Sequence, residues 1–192
     1  MTVPVFEDRP ETPRGRMLYQ SLLAVHTLIR SDLTRVERLA TAVLDGLPAG
    51  GVHEELEELK SNSMLWQFQV SCVRYCGFVH MHHNAEDRDF FDELEETNPA
   101  IGPVVDRLRA EHRAVSEYLD AVEAAARALT ANDSHDARRV VADALEVLEG
   151  HLLAHLEYEE LNIASTARRL RDPTIKGRYE TGHLSRTKED QQ

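Results

Sequence analysis

Two stretches of the sequence repeat one arrangement, a single histidine followed at a distance by His-x-x-x-Glu. The first set is His26, His82 and Glu86, and the second is His112, His155 and Glu159. Residues four apart on an α-helix lie on one face, because each residue turns the chain by about 100°. Each His–Glu pair can therefore direct an imidazole and a carboxylate to the same place. Four histidines and two carboxylates that converge from four helices would form a metal site rather than an ordinary core.

Apolar residues recur at helical spacing along most of the chain, and glycine and proline fall between the periodic stretches. The predicted helices cover residues 16–44, 63–96, 103–129 and 135–170, with a short acidic helix over residues 53–60. The sequence shows no strand pattern, and short connections favour antiparallel neighbours. We therefore predict an all-α fold, an up-down-up-down four-helix bundle over residues 15–171. A flexible arm (residues 1–14) and a polar tail (residues 172–192) are predicted to flank it.

In such a bundle the repeated histidines fall at one height. At about 1.5 Å per residue, all four come within roughly one turn of a common layer, some 15–20 Å from one end. A third His-x-x-x-Glu, His53 with Glu57, lies at a different height in an acidic stretch. We interpret that occurrence as a solvated surface.

Helical projection separates the remaining histidines of the second helix. With His82 inward, His80 points about 160° away and His83 about 100° away, so both are predicted to be surface residues. Tyr75 shares the inward face with His82. It is therefore either a core residue whose hydroxyl is satisfied locally or a candidate proton donor above the metal layer.

On the fourth helix, His151, His155 and Glu159 share one face, whereas Glu157 and Glu160 are predicted to turn outward. His151 has three interpretations from its position: an extra ligand, a proton shuttle, or a hydrogen-bonded core residue. Together with Tyr75 it is a candidate proton donor.

Buried carboxylates and imidazoles in one layer require compensating cations, because an unpaired buried charge costs several kcal/mol. Imidazole with carboxylate suits iron, manganese or zinc. Glu86 and Glu159 lie at one level and can bridge two metals, with two histidines on each side. This arrangement leaves coordination positions open for a small ligand, and it favours a dinuclear iron centre.

Four segments, AVHTLIR, VHMHHNAEDRDFF, LRAEHRAVSEYL and GHLLAHLEYEELNI, resemble the four helices of the hemerythrin-like HHE cation-binding domain. The resemblance covers residues 16–170. It implies two iron ions in an oxo- or hydroxo-bridged centre, with the six repeated residues in the family's ligand positions. The family's oxygen carriers use a fifth histidine, and an aspartate where this chain has Glu159. These departures argue against simple oxygen carriage.

Composition limits the partners. The net charge of -12 argues against nucleic acid or an anionic membrane. No apolar run approaches the ~20 residues of a membrane span, so we expect a soluble cytoplasmic protein. Cys72 and Cys76 lie four residues apart in a helical segment and are predicted to be buried, inert thiols.

Two functions compete. The first is an enzyme that decomposes hydrogen peroxide in a catalase-like reaction, with Tyr75 or His151 moving protons. The alternative is reversible binding of O2 or NO, or iron or oxygen sensing, without turnover. Ferritin-like iron oxidation is disfavoured because the Glu-x-x-His cue is absent from the ligand positions. A zinc-only structural site would leave the open positions unexplained.

Overall fold

The computed structural model describes residues 9–44 and 54–171, with side chains described for residues 9–41 and 68–171. Its helices are α1 (Pro13–Leu44), α2 (Glu54–Ala85), α3 (Phe91–Thr97), α4 (Gly102–Ala131) and α5 (His135–Ala167). A π-helical turn, Glu86–Phe90, joins α2 to α3, and a 3₁₀ turn, Pro99–Ile101, precedes α4. The described residues contain no strand. The predicted all-α four-helix bundle is confirmed. Its four helical rods are α1; α2 with the π-helical turn and α3; α4; and α5.

The ends of the rods differ from the predicted ones. The prediction of a separate acidic helix over residues 53–60 is wrong, because α2 runs without a break from Glu54. The predicted turn over residues 45–51, His53 and the predicted tail lie outside the described residues. In the predicted arm, residues 1–8 also lie outside, while α1 already begins at Pro13. The backbone N–H of Thr12 donates to the carbonyl of Arg168 at 2.9 Å, which ties this segment to the end of α5.

Polar side chains cap the elements that follow the two turns described by the structure. Ser134 is the N-cap of α5, as its hydroxyl accepts the N–H of Ala137 at 3.2 Å. The Asn98 side chain accepts the N–H of Ala100 at 3.2 Å and donates to the Thr166 hydroxyl at 3.0 Å. The turn between α3 and α4 is therefore fastened to α5.

The apolar interior consists of two clusters, one on each side of a polar layer. The upper core includes Ile29, Leu119 and Leu148, and the lower core includes Phe91 and Leu108. Because the polar layer is enclosed on both sides, its side chains are removed from water. This raises the energetic cost of any unpaired polar atom they carry.

Cys72 and Cys76 are both free and buried in the upper core. Burial raises the pKa of the Cys76 thiol to about 12, which keeps it protonated. The prediction that both cysteines are buried is confirmed. No helix in the described ranges has the length and hydrophobicity needed to span a membrane.

Candidate metal centre

Seven ionisable side chains fill the layer between the two cores, and each exposes 9% of its surface or less. They are His26, His82, His83, Glu86, His112, His155 and Glu159. Six are the residues of the repeated pattern, and helices α1, α2, α4 and α5 together with the π-helical turn supply the whole set. The structure thus brings together all six candidate ligands from four separate rods.

The seven residues form two groups, each compact enough to hold one metal ion. One group is His26, His82, Glu86 and Glu159, and the other is His83, His112 and His155. Within each group the potential ligand atoms lie within 4.8 Å of one another. The layer therefore offers two adjacent cation positions.

The two carboxylates belong to the first group and also approach histidines of the second. Oxygen Oε1 of Glu86 is 3.3 Å from Nε2 of His82, while its Oε2 is 3.6 Å from Nε2 of His112. Oxygen Oε2 of Glu159 is 3.3 Å from Nε2 of His26 and 3.9 Å from Nε2 of His155. Each carboxylate faces a histidine of both groups, as a bridging ligand would.

His83 belongs to this layer, and the prediction that it is a surface residue is wrong. Its side chain is 4% exposed and its ring stacks on His112 with centroids 4.0 Å apart. The helical projection placed it correctly, about 100° from His82, but the interpretation of that angle was mistaken. Helix α2 contacts both α1 and α4, so a residue turned away from His26 faces the histidine of α4 rather than solvent. The signal was present in the sequence as the adjacent pair His82–His83.

The π-helical turn brings the next aromatic residue onto the layer. In an unbroken α-helix, Phe91 would lie about 180° around the axis from His82. The extra residue of the π turn shifts the following residues back by about 100°. The Phe91 ring accordingly stacks on His112 with centroids 5.3 Å apart and forms part of the lower core. The turn therefore allows one rod to supply ligands and to seal the layer from below.

Three of the five histidines are held from behind by carboxylates. Nδ1 of His26 lies 2.8 Å from Glu160, Nδ1 of His112 lies 2.9 Å from Asp87, and Nδ1 of His155 lies 3.1 Å from Glu111. A carboxylate accepts the Nδ1–H, which leaves the lone pair on Nε2. All three rings consequently present an unprotonated Nε2 to the centre of the layer.

Glu160 was predicted to turn outward, and this is wrong. It lies between α5 and α1, where it accepts hydrogen bonds from Nδ1 of His26 and from Arg30, the latter at 2.7 Å. The error has the same cause as that for His83, since the side of α5 next to Glu159 faces another helix. Glu157 is exposed, as predicted.

Burial sets the charge state of the layer. It lowers the pKa of His82 to about 3, with smaller contributions from His26 and His155, so the imidazole is neutral near pH 7. The pKa of His112 is lowered to about 2, again mainly by burial. Burial and the neighbouring charge of Glu159 raise the pKa of Glu86 well above its usual value. Without a cation, the layer resists holding two ionised carboxylates side by side.

Nε2 of His26 and Nε2 of His82 lie 3.0 Å from each other, but seven other atoms of the layer lack hydrogen-bond partners. These atoms are Nε2 of His83, His112 and His155, and all four carboxylate oxygens of Glu86 and Glu159. A buried polar atom without a partner costs ~1–3 kcal/mol, and more where it is charged. Cations placed among these atoms would remove that cost, so the donor set fits bound metal.

The other candidate residues lie elsewhere. His151 is exposed and stacks on Tyr118 with centroids 4.5 Å apart, so the expectation that it shares the inward face with His155 is wrong. Its position, about 40° from His155, is at the edge of α5 beside α4. His80 is half-buried outside the layer and lies 3.0 Å from the Ser116 hydroxyl through Nδ1. Tyr75 is buried in the upper core.

Fold and layer together define a helical-bundle protein with a buried histidine–carboxylate cation site. The family model described as the Hemerythrin HHE cation binding domain matches residues 17–167. The chain therefore belongs to the hemerythrin HHE cation-binding domain family. No curated protein and no solved structure matches the chain.

Proposed function

We propose that the layer holds two iron ions bridged by Glu86 and Glu159. One ion takes His83, His112 and His155 as its remaining protein ligands, and the other takes His26 and His82. The single observation that carries this proposal is that seven buried polar atoms of the layer, on five of the candidate ligands, have no hydrogen-bond partner. The bridging positions of the two carboxylates add a reason for two ions rather than one.

The number of donors favours iron over zinc. Structural zinc is almost always four-coordinate and tetrahedral. The group with three histidines, joined by one oxygen from each carboxylate, would offer five donors, which exceeds a tetrahedral shell. Manganese accepts similar ligands but prefers sites dominated by oxygen donors. The imidazole-rich donor set of this layer therefore suits iron better than manganese.

The two sides of the centre differ in a way that suits binding of a small molecule. The side with His26 and His82 has one imidazole fewer, so it has room for an exogenous ligand. Bound iron supplies electrons that are shared reversibly with a small oxygen species. His83 also supplies the fifth imidazole whose apparent absence argued against oxygen carriage. We therefore favour reversible binding of dioxygen, with nitric oxide as a related ligand.

Peroxide decomposition has less support from the geometry. Such an activity benefits from a proton donor beside the bound oxygen. His151 is exposed, and the Tyr75 hydroxyl, buried in the upper core, makes no hydrogen bond to another described residue. The role of Tyr75 as a donor stays a prediction.

The carboxylates behind the histidines act as positioning residues in this proposal. Loss of Glu160 would free the His26 ring to rotate and to change its protonated nitrogen. We expect Glu160→Ala to weaken iron binding by about 10–100-fold, the range found when such outer partners are removed. Glu157→Ala, an exposed neighbour on the same helix, serves as the control. Equal iron affinities for the two variants would contradict this role.

The experiment for the function compares the full chain with His83→Ala and with His80→Ala. Iron content and visible absorption are recorded through cycles of dioxygen addition and removal, and gas evolution is measured after peroxide is added. We expect two irons per chain and a reversible oxygenated spectrum in the parent and in His80→Ala, and loss of both in His83→Ala. Two irons in His83→Ala would refute the ligand assignment. Sustained gas evolution, with an irreversible spectrum, would favour the enzyme instead.

A further inference from the structure

A cavity lies on the outer side of the bundle, along the seam between α1 and α2. Its volume is about 290 Å³, several times the ~30 Å³ that one water molecule occupies in the liquid, so it has room for a small molecule. It extends from Leu28 and Phe78 at its lower end to Val36 and Ser71 at its upper end. Leu28 is 55% exposed, so the mouth of the cavity meets solvent.

The lower end of this cavity lies one helical turn from the metal layer. Phe78 precedes His82 by four residues, or about 6 Å along α2. A helical side chain covers the turn on the N-terminal side of its own Cα, so the His82 imidazole lies toward Phe78. On α1, Leu28 follows His26 by two residues, or about 3 Å. The half of the layer that contains His26 and His82 is therefore the half nearest the cavity.

The exposure of the layer points to the same half. Among its seven ionisable residues His82 is the most exposed, at 9%, whereas His26 and Glu159 are both at 0%. Phe78 is partly buried and packs against the upper core. Because its ring lines the cavity and precedes His82 by one turn, it is in position to separate the cavity from the layer.

The charges around the cavity are of both signs. Burial raises the pKa of the Tyr75 hydroxyl, and the carboxylates Glu37 and Asp32 raise it further. Arg35 and Arg74 line the same cavity, and Arg35 pairs with Asp32 at 3.5 Å. Such mixed surroundings favour neither an anion nor a cation. A neutral molecule is the occupant that they suit best.

We propose that dioxygen reaches the metal layer through this cavity and passes Phe78 to the half with His26 and His82. This inference rests on the function proposed for the layer, in which that half has room for an exogenous ligand. A neutral diatomic molecule needs no charged partner in the cavity, and the apolar side chains of Leu28 and Phe78 let it pass without hydrogen bonds. Phe78 therefore controls the rate of access, while the layer determines the affinity.

The first test measures dioxygen association and dissociation by stopped-flow absorption on the iron-loaded full chain. Leu28→Trp places a larger ring at the mouth and should slow both rates by about tenfold, because a narrower path raises the barrier in both directions. The dissociation constant should then change by less than about twofold. Phe78→Ala opens the lower end and should raise both rates by about threefold or more. Val147→Trp, at an exposed position on α5, is the control and should leave both rates unchanged.

The second test needs no iron. Dissolved dioxygen is paramagnetic, so it speeds the nuclear magnetic relaxation of methyl groups that it approaches. Val36 lines the cavity and Val141 lies elsewhere in the upper core, yet both are 2% exposed. In the metal-free chain we expect dioxygen to relax the Val36 methyls about threefold more strongly than those of Val141, as local enrichment in the cavity requires. Leu28→Trp should remove this difference.

Two sets of results would overturn the proposed route. The first is equal association rates in the parent and Leu28→Trp, including a case in which only the dissociation constant changes. The second is equal relaxation of the two valines. Absence of an oxygenated spectrum in the iron-loaded parent would instead refute the function proposed for the layer. The relaxation data would then decide alone whether dioxygen enters the cavity.

Discussion

The charge state of the metal-free layer leads to a quantitative prediction for His82→Gln. The His82 imidazole has a pKa of about 3 in the folded chain, against an ordinary value of 6.5. Between these values the unfolded chain binds a proton that the folded chain excludes. The stabilisation by the neutral imidazole is therefore present above about pH 6.5 and is lost as the pH falls toward 3.

The magnitude follows from the width of this window. At pH 5 the solution is about 1.5 pH units below the pKa of His82 in the unfolded chain. The proton that the unfolded chain binds therefore favours unfolding by about 2 kcal/mol. Glu86 contributes with the opposite sign, because its raised pKa makes the folded chain bind the extra proton as the pH falls. Glu86 is present in both parent and variant, so the comparison reports His82 together with its 3.3 Å contact to Glu86. We expect the loss of stability between pH 7 and pH 5 to be about 2 kcal/mol smaller in His82→Gln.

The assay is urea unfolding of chelator-treated protein at both pH values, followed by circular dichroism, with the slopes compared to check two-state behaviour. His151→Gln is the control, because His151 is exposed and should leave the pH dependence unchanged. A difference between parent and His82→Gln below about 0.5 kcal/mol would refute the reasoning that burial holds this imidazole neutral.

Three further predictions concern packing and metal. A Cβ on Gly15 would lie 2.4 Å from the backbone oxygen of Arg168, so Gly15→Ala should lower the free energy of unfolding by about 1–3 kcal/mol. Gly77 has open space around it, so Gly77→Ala should raise the free energy of unfolding by up to about 1 kcal/mol. Chemical denaturation of both variants checks this, and equal effects would contradict it. Leu148→Ala should lower the free energy of unfolding by about 2–5 kcal/mol, and Val147→Ala, at the exposed neighbouring position, by less than about 1 kcal/mol. The same method measures both, and similar losses would contradict the assignment of Leu148 to the upper core. Iron at 100 times its dissociation constant should stabilise the folded chain by about 2.7 kcal/mol. Calorimetry should show this as a melting temperature raised by roughly 5 °C or more. An unchanged melting temperature would contradict a site specific to the folded state.

Much of the layer could be predicted because helix geometry is regular. The common height of the repeated histidines follows from a fixed rise per residue, and the His-x-x-x-Glu spacing follows from a fixed turn. The structure brings those six residues together as this regularity requires. The ends of the helices were less accurate, since α2 begins before the predicted position and includes the stretch interpreted as a separate acidic helix.

The errors at His83 and Glu160 share a physical origin. A projection from one helix gives angles around its own axis, but it does not say where the neighbouring helices lie. Each rod of a bundle has two neighbours, so its buried arc exceeds the stripe that faces the centre. Residues at the sides of this arc meet another helix, as His83 meets His112 and Glu160 meets His26.

The π-helical turn is a different kind of difference. Its extra residue changes the phase of everything that follows on the same rod, and no glycine or proline marks it in the sequence EDRDF. The cue lies further along, where a continuous α-helix would turn Phe91 away from the core. Only the packing of Phe91 on His112 reveals why the extra residue is accommodated.

The most direct test of the central claim is anomalous diffraction at the iron edge from crystals of the iron-loaded chain. Two bridging carboxylates predict two iron peaks within about 4 Å of each other, with Glu86 and Glu159 contacting both. His83, His112 and His155 should surround one peak, and His26 and His82 the other. A single peak, or two peaks that the carboxylates do not join, would contradict the dinuclear centre.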